Sequence, residues 1–287
     1  MTLKKIVSPI FNKSVKYLVG HGIGRNKVVE IMFNYLKSSL KEESVKIGDH
    51  IMYLDKQDSL CLSINGIYEK FETDLVKHEI KTGDVVIDIG ANIGYYTLIF
   101  AKLVGDTGKV FAFEPDPTNF ELLRKNIEAN GYKNVILEQK ALSDKEGKVS
   151  LALSKQNTAG HHINSEQQDP KNSIQVDAII ADNYFKNFEH TINFIKMDVE
   201  GAESMVLGGM TNLLKNNTAL KMMVEYNPYA IKNMGLKPIS YLELLVQNGF
   251  RMMDINNKNM KIENTNVQSL VTKYNDEYTN LLCIKST

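Results

Sequence analysis

The chain has 287 residues, of which 43% are hydrophobic and 24% are charged. This ordinary globular composition excludes a disordered chain, a collagen-like repeat and a small disulfide scaffold. The 34 basic and 34 acidic side chains balance, so we expect no nucleic-acid partner, which normally requires a basic surface. The two cysteines provide no metal-binding spacing and no disulfide framework, so nothing requires an oxidising compartment.

Residues 1–41 have an unbalanced charge, because eight basic side chains stand against one acid, Glu30, for a net charge of +7. A helical pattern over residues 27–40 makes this segment a basic helical leader. No stretch has the roughly 18 apolar residues of a membrane-spanning helix, and the leader lacks the pattern of a secretory signal. We therefore expect a cytoplasmic protein. The leader would either pack on the main domain or contact a protein partner or the inner face of a membrane.

Residues 42–82 predict short strands and one helix. Residues 45–68 are typical of strands and turns, with Asn65-Gly66 as a hairpin signal. Apolar residues recur at helical spacing over residues 69–80. Together with the leader they would form an N-terminal accessory segment, residues 1–82, ahead of a main domain, residues 83–287.

The main domain begins with an alternation of strands and helices. Residues 84–90, 109–114 and 134–142 predict strands, and the first is a continuous apolar run that suits a parallel strand buried on both faces. Residues 95–105 predict a helix, and Asp116 followed by Pro117 is a helix start. This βαβαβ order predicts a parallel sheet with right-handed crossovers.

The second half of the domain repeats the alternation less regularly. It predicts an edge-like strand at 148–153, a long polar loop at 154–173, strands at 192–201, 219–227, 251–255 and 278–285, helices at 202–215 and 238–249, and a loop or irregular edge at 256–276. We therefore predict an α/β fold: a Rossmann-like, seven-stranded, mostly parallel sheet with an antiparallel edge strand and an N-terminal helical/β extension. The long loop is a candidate lid, because structureless loops of that length are usually functional.

A glycine turn between the first strand and its helix is the strongest local signal. Gly90 and Gly94 let the backbone turn tightly and let a ligand approach, with Ala91 and Asn92 between them. Ligands of such sheets bind at the carboxyl ends of the strands. Glu114 ends the second strand, where an acid accepts hydrogen bonds from ribose hydroxyls. The turn and the acid together predict a nucleoside site.

The charge at the turn indicates which nucleoside binds. A dinucleotide site has the pattern Gly-x-Gly-x-x-Gly, whereas this turn has Gly-x-x-x-Gly. Asp88 would repel a pyrophosphate but would suit the ammonium group of S-adenosylmethionine, which has no phosphate. We therefore favour S-adenosylmethionine over NAD. The alternative is that Asp88 only orders the turn through backbone N–H groups.

Acidic residues also follow the fourth and fifth strands. Asp198 should face the same crevice as Asp88, whereas Glu203 suits the first turn of a helix. Glu225 and Asn227 end the neighbouring strand and could converge with Asp198. Three oxygen ligands could hold Mg²⁺ or Mn²⁺, which would help a hydroxyl lose its proton.

The proton could also be removed without a metal. Asp198 or Glu225 could act as the general base, and so could a histidine of the long loop, of which His162 is the candidate.

The sequence resembles the FkbM-type methyltransferase family. The resemblance rests on residues 85–98 (VVIDIGANIGYYTL), 111–127 (FAFEPDPTNFELLRKNI), 141–144 (ALSD), 195–203 (IKMDVEGAE) and 224–228 (VEYNP). It extends over about residues 45–285 and does not include the leader.

The resemblance implies a class I, Rossmann-like fold and S-adenosylmethionine-dependent O-methylation of a hydroxyl on a sugar, glycan, glycolipid or polyketide. It implies the following cofactor contacts: Asp88, Gly90, Ala91, Asn92 and Gly94 at the methionine end, Glu114 at the ribose, Leu142 at the adenine, Asp144 at its exocyclic amine, Asp198 at the methionine or the acceptor, and Glu69 from the preceding helix. Two alternatives stay open at this point, an NAD-linked oxidoreductase on a similar fold and a non-enzymatic nucleoside-binding adaptor. The sequence leaves the oligomeric state undetermined.

Overall fold

A computed structural model describes residues 42–153, 162–163, 173–275 and 277–285 of the chain. The leader, most of the loop at 154–173 and the side chain of His162 lie outside the described residues. The membrane or partner contact and the lid that we predict there therefore stay predictions.

The N-terminal elements form a hairpin and two helices. Strands β1 (Ser44–Ile47) and β2 (His50–Tyr53) pair antiparallel, and helices α1 (Leu62–Asn65) and α2 (Lys70–Glu79) follow. The helix predicted over 69–80 is confirmed by α2. The hairpin predicted at Asn65-Gly66 is wrong: Gly66, at φ 69°, instead caps the C-terminus of α1, because a left-handed glycine ends a helix as readily as it turns a hairpin.

The predicted βαβαβ unit is present. It consists of β3 (Val85–Ile89), α3 (Tyr95–Val104), β4 (Lys109–Phe113), α4 (Pro117–Ala129) and β5 (Val135–Glu138). All three strands are parallel. The Asp116 side chain accepts hydrogen bonds from the N–H groups of Thr118 and Asn119, which confirms the predicted helix start.

A second, four-stranded sheet follows. The strand predicted over 134–142 ends early, and its last residues form β6 (Ala141–Leu142) in this sheet with β7 (Gly147–Ala152), β8 (His162–Ile163) and β9 (Ser173–Ile179). The strand predicted at 148–153 is confirmed by β7, but its edge position is wrong, because β7 pairs with β8 on one side and with β9 on the other. A short helix, α5 (Ala181–Tyr184), then leads back to the main sheet.

The rest of the chain supplies the other half of the main sheet. Its elements are β10 (Phe194–Met197), α6 (Glu203–Gly208), α7 (Thr211–Asn216), β11 (Lys221–Tyr226), α8 (Pro228–Asn233), α9 (Pro238–Gln247), β12 (Phe250–Asn256), β13 (Lys261–Asn264), α10 (Val267–Lys273) and β14 (Thr279–Lys285). The single helix predicted at 202–215 is wrong, because α6 ends at Gly208 and α7 begins at Thr211. Between them, Gly209 lies so close to Ser143 that a Cβ would be 2.0 Å from the carbonyl oxygen of that residue. For residues 256–276, the alternative of a loop is wrong, since the stretch contains β13 and α10, whereas the alternative of a sheet edge is confirmed by β13.

The main sheet has eight strands in the order β13-β12-β14-β11-β10-β3-β4-β5. Strands β11, β10, β3, β4 and β5 are parallel, and β14 inserts antiparallel between β11 and β12. The predicted fold class, a mostly parallel sheet with an antiparallel edge strand, is confirmed, and the edge strand is β13. The predicted number of seven strands is wrong, because β13 adds an eighth strand in a stretch where no regular strand is predicted. The carboxyl ends of β3, β4, β10 and β11 therefore meet at one edge of the sheet.

The hairpin and α2 share a hydrophobic core with the sheet. Met52, Leu75 and Val76 pack in one cluster with Val86 and Phe100. The Asn126 side chain of α4 joins the two parts, because it accepts from the N–H of Tyr53 at 2.6 Å and donates to the carbonyl of Ile93 at 2.7 Å. This packing places the start of α2 beside the glycine turn. In the described ranges, no helix is long and apolar enough to cross a membrane.

Candidate active site

The glycine turn lies against the chain that leaves β10. Gly90 has φ 78°, and its N–H donates to the carbonyl of Phe113 at 3.0 Å. A Cβ on Gly90 would lie 1.9 Å from the carbonyl oxygen of Asp198, so only glycine allows this approach. Gly94 has φ 91°, and a Cβ there would lie 2.6 Å from Cδ1 of Leu123. Both glycines are therefore required by the backbone geometry.

Glu114 is held at the end of β4 by backbone hydrogen bonds. Its Oε2 accepts from the N–H of Asn92 at 2.8 Å and its Oε1 from the N–H of Asp116 at 2.9 Å. The side chain is only 5% exposed, and burial raises the pKa of this carboxyl to about 8. Each carboxylate oxygen can accept a second hydrogen bond, so Glu114 can also receive a pair of hydroxyl groups.

A cleft of about 560 Å³, which we call the first chamber, opens beside Glu114. Leu142 and Ile163 contribute apolar walls, as expected for the site of a flat base, while Asp144 lies outside its lining. The Cβ of Asp144 instead lies close to Gly208, 3.3 Å from where a Cβ on that glycine would be. The predicted contact of Leu142 thus agrees with the cleft, whereas that of Asp144 lacks support in the structure.

A larger cleft of about 910 Å³, the second chamber, lies on the other side of the turn. Four residues line both chambers: Gly90, Asn92, Asp198 and Glu200. The second chamber is also lined by four of the predicted site residues and by four tyrosines: Glu69, Asp88, Glu225, Asn227, Tyr68, Tyr95, Tyr96 and Tyr278. A ligand that fills the first chamber would therefore present its far end to the second.

Lys196 and the tyrosines of the second chamber are candidate site residues that the sequence analysis missed. Lys196 is the most surprising of them. It is 5% exposed, its Nζ lies 3.1 Å from Oδ2 of Asp198, and the same nitrogen lies 4.8 Å from the centre of the Tyr96 ring. Burial alone would lower the pKa of Lys196, but the carboxylates of Asp198, Asp88 and Glu69 outweigh burial and raise it. A charged residue inside an otherwise apolar strand was the available signal.

Asp88 is buried at 1% exposure at the floor of the second chamber. Its Oδ2 accepts from the hydroxyl of Thr97 at 2.6 Å, and its Oδ1 has no hydrogen-bond partner among the described residues. Burial raises the pKa of this carboxyl, against the opposing effect of Lys196. A buried carboxylate oxygen without a donor is costly, so it fits a site that receives a ligand donor.

Glu69 and Glu225 face the same chamber from α2 and β11. The hydroxyl of Tyr96 donates to Oε2 of Glu69 at 2.8 Å, and burial raises the pKa of Glu69 to about 7. Glu225 is 8% exposed, and its Oε2 has no partner among the described residues. Burial and the neighbouring Asp198 raise the pKa of Glu225 well above its usual range.

The backbone near these acids is strained. Glu69, Asn92 and Glu200 have φ values of 41°, 51° and 53°, a left-handed conformation that non-glycine residues rarely adopt. They are three of the six such residues in the described parts of the chain, and all three line the second chamber. Backbone strain of this kind concentrates at ligand sites, where the surrounding structure holds it in place.

The predicted metal site is not supported by the geometry. Asn227 accepts a hydrogen bond from the N–H of Ala230 at 3.1 Å and serves as the N-cap of α8. Within the described ranges, no group of three or more His, Cys, Asp and Glu side chains is placed to hold a metal ion.

Glu203 lies at the start of α6, where its Oε1 accepts hydrogen bonds from the N–H groups of Val199 and Gly201. This agrees with its interpretation as a helix-start residue.

The two chambers fit one kind of ligand. The first has an apolar base site with an acid for ribose hydroxyls, and the second adds buried carboxylates that favour positive charge. S-adenosylmethionine combines a nucleoside with a sulfonium and an ammonium group, whereas a dinucleotide would place phosphates beside Asp88. The fold and the site define an S-adenosylmethionine-dependent methyltransferase.

Comparison with known protein families gives the same class. Residues 88–252 match the family model described as the methyltransferase FkbM domain, and the chain belongs to this family. A second model, of protein-L-isoaspartate(D-aspartate) O-methyltransferase, matches residues 16–142. The resemblance noted from the sequence motifs is thereby confirmed.

Curated relatives match only parts of the chain. Hexuronic acid methyltransferase AglP of Haloferax volcanii is 35% identical over 144 residues, which are 50% of this chain and 56% of that protein. A protein-L-isoaspartate O-methyltransferase of Methanococcoides burtonii is 40% identical over 62 residues, 22% of this chain and 30% of that protein. The chain thus spans little more than half of the one and less than a third of the other.

Two solved structures illustrate the structural similarity. Precorrin-6y C5,15-methyltransferase of Geobacter metallireducens aligns with a TM-score of 0.44 and 13% identity, covering 76% of this chain and 88% of that one. A SAM-dependent O-methyltransferase of Thermotoga maritima aligns with a TM-score of 0.42 and 13% identity, covering 77% of this chain and 66% of that one.

Proposed function

We propose that this enzyme transfers a methyl group from S-adenosylmethionine to a hydroxyl group of a sugar, free or as part of a glycan or glycolipid. The observation that supports this most is the second chamber, which combines tyrosine rings with carboxylates beside the cofactor turn. Tyrosine faces suit the C–H faces of a sugar ring, and carboxylates accept hydrogen bonds from its hydroxyls. The hexuronic acid methyltransferase of Haloferax volcanii adds a relative whose name includes a sugar acceptor.

Residues of the first chamber would hold the nucleoside of the methyl donor. Glu114 would accept the ribose hydroxyls, and Leu142 would pack against the adenine. Asp88 would pair with the ammonium group through Oδ1, its unpartnered oxygen. When bound, S-adenosylmethionine supplies an electrophilic methyl group on a positively charged sulfur.

The protein would contribute two effects to the reaction. The first is positioning, because attack on a methyl group requires the acceptor oxygen to lie in line with the bond that breaks. Asp198 lines both chambers and is fixed by Lys196 at 3.1 Å, so it would orient the acceptor at their junction.

The second effect is removal of the hydroxyl proton. Asp198 is already paired with Lys196, whereas Oε2 of Glu225 is buried and has no hydrogen-bond partner among the described residues. Burial raises the pKa of Glu225, so its ionised form is a strong base for a carboxylate. Glu225 is therefore the residue that we expect to remove the hydroxyl proton. His162 is the second candidate, taken from the sequence.

A transfer assay tests the proposal. S-adenosylmethionine labelled on its methyl group is incubated with the enzyme and with either sugar glycosides or an isoaspartyl peptide, and the products are identified by mass spectrometry. We expect label on a sugar hydroxyl. Label on the peptide carboxylate alone would instead assign the chain the activity of its isoaspartate-modifying relatives and refute the proposal.

The pH dependence of turnover tests the role of Glu225. If ionised Glu225 takes the proton, kcat rises with pH as this carboxyl loses its own proton. Glu225→Gln should remove that rise and lower kcat by about 10²–10⁴-fold, the usual contribution of a general base. Glu128→Gln, at an exposed position on α4, is the matched control. An unchanged pH profile in Glu225→Gln would exclude Glu225 as the base.

A further inference from the structure

The charge of the side chains that line the second chamber indicates which acceptors can bind there. Five carboxyl groups line it: Glu69, Asp88, Asp198, Glu200 and Glu225. In the described part of this lining, Lys196 is the one basic side chain. Its Nζ is already paired with Oδ2 of Asp198 at 3.1 Å, so its positive charge is compensated within the protein.

The methyl donor neutralises only part of this charge. S-adenosylmethionine has one sulfonium, one ammonium and one carboxylate, a net charge of +1. Its ammonium group would be taken by Asp88 at the turn. Glu69, Glu200 and Glu225 would remain around the space where the acceptor binds. Burial raises the pKa of all three carboxyl groups, and the positive charge of bound S-adenosylmethionine opposes this effect and favours their ionised form.

Unpartnered oxygens indicate which groups the acceptor must supply. Oε2 of Glu225 is buried and has no hydrogen-bond partner among the described residues. A sugar hydroxyl can donate to such an oxygen, whereas a carboxylate has no proton to donate and would be repelled. A sugar hydroxyl bound at Glu225 would therefore give Oε2 the hydrogen-bond donor that it lacks. The same oxygen could then take the proton of that hydroxyl.

An aromatic surface completes the chamber. Tyr278 is 59% exposed and lines the chamber, so its ring face is available to a ligand. Tyr68 and Tyr95 line the same chamber, and their rings pack edge to face with centres 5.8 Å apart. A ring without charge can rest on such a surface while its hydroxyls face the carboxylates.

We propose that the acceptor is a sugar without negative charge, placed on Tyr278 with a hydroxyl donated to Glu225, and that the acidic chamber discriminates against uronic acids and other carboxylate-bearing acceptors. This inference rests on the function proposed above. It separates this chain from the hexuronic acid methyltransferase that it resembles.

A matched pair of acceptors tests the inference. A hexuronic acid glycoside and its uronamide differ only in the charge of one group, because the amide replaces the carboxylate without adding a hydroxyl. We expect kcat/KM to be at least about tenfold higher for the uronamide, which corresponds to about 1.4 kcal/mol. The preference should weaken at high salt, because salt screens repulsion between charges in an open cleft.

Charge-removing variants give a second readout. Glu69→Gln and Glu225→Gln should each reduce the preference for the uronamide, and Glu128→Gln, which is remote and exposed, should leave it unchanged. The ratio of kcat/KM for the two acceptors cancels any loss of turnover that affects both equally. Binding of S-adenosylhomocysteine checks that each variant is folded.

The outcomes distinguish this inference from the proposed function. An equal or higher kcat/KM for the uronic acid would overturn the inference and leave sugar methylation intact. Binding of S-adenosylhomocysteine without methyl transfer to the glycosides, together with transfer to the isoaspartyl peptide, would overturn both.

Discussion

Gly90→Ala tests the tightest contact in the site. A methyl group at this position would lie 1.9 Å from the carbonyl oxygen of Asp198 and 3.0 Å from its carbonyl carbon, both backbone atoms that cannot rotate away. The residue also has φ 78°, where an L-residue is strained. The substitution should therefore push the Asp198 segment away from the turn.

The expected cost has two parts. A left-handed conformation costs an L-residue about 1–2 kcal/mol. Forcing an extra methyl group into a packed site costs a further ~1–3 kcal/mol. The free energy of unfolding should fall by roughly 2–5 kcal/mol, which lowers Tm by about 5–15 °C for a chain of this size.

Gly131→Ala is the matched control, because Gly131 has φ 73° and nothing within 4 Å of the added methyl group. It should show the strain cost alone and keep its affinity for S-adenosylhomocysteine. Thermal unfolding and calorimetric titration of the two variants make the comparison. Equal losses of Tm, with unchanged S-adenosylhomocysteine affinity in both, would refute the close approach of Asp198 to the turn.

Three further predictions concern single groups of the site. Burial raises the pKa of Glu203 from 4.5 to about 7. The stability that the protonated side chain contributes is therefore full below pH 4.5 and is lost as pH rises through 7. In unfolding experiments, Glu203→Gln should reduce this pH-dependent fall in the free energy of unfolding by about 3 kcal/mol. Binding of cationic S-adenosylmethionine near pH 7 should release more protons than binding of S-adenosylhomocysteine, because the cation lowers the pKa values of Glu69 and Glu200 from about 7 and about 8. If the heat of S-adenosylmethionine binding were the same in buffers of different ionisation enthalpy, this prediction would be wrong. Tyr278→Ala should raise KM for the acceptor several-fold and leave S-adenosylhomocysteine affinity unchanged, and an unaltered KM would remove Tyr278 from the acceptor site.

Local signals were sufficient for much of the fold. The apolar run of β3, the glycine turn after it and the Asp116 cap of α4 each depend on neighbours in the sequence, and the structure has all three. Errors arose where distant contacts decide the outcome. The helix predicted at 202–215 is divided at Gly209, whose backbone lies against that of Ser143, a residue distant in the sequence.

The candidate site was predictable to a similar degree. Strand-end acids such as Asp88, Glu114 and Glu225 follow from the rule that ligands bind at carboxyl ends of parallel strands. Tyr278 could not be placed there, since it reaches the chamber only because β14 inserts beside β11. Lys196 could be recognised in the sequence as a charged residue within an otherwise apolar strand. The side chains that it contacts became evident only in the structure.

A crystal structure with S-adenosylhomocysteine and an uncharged glycoside would locate both ligands in one experiment. We expect the ribose on Glu114, the adenine beside Leu142 in the first chamber, and the sugar on Tyr278 with a hydroxyl at Glu225 in the second. A nucleoside found in the second chamber, or a sugar bound away from Glu225 and Tyr278, would refute this arrangement of donor and acceptor.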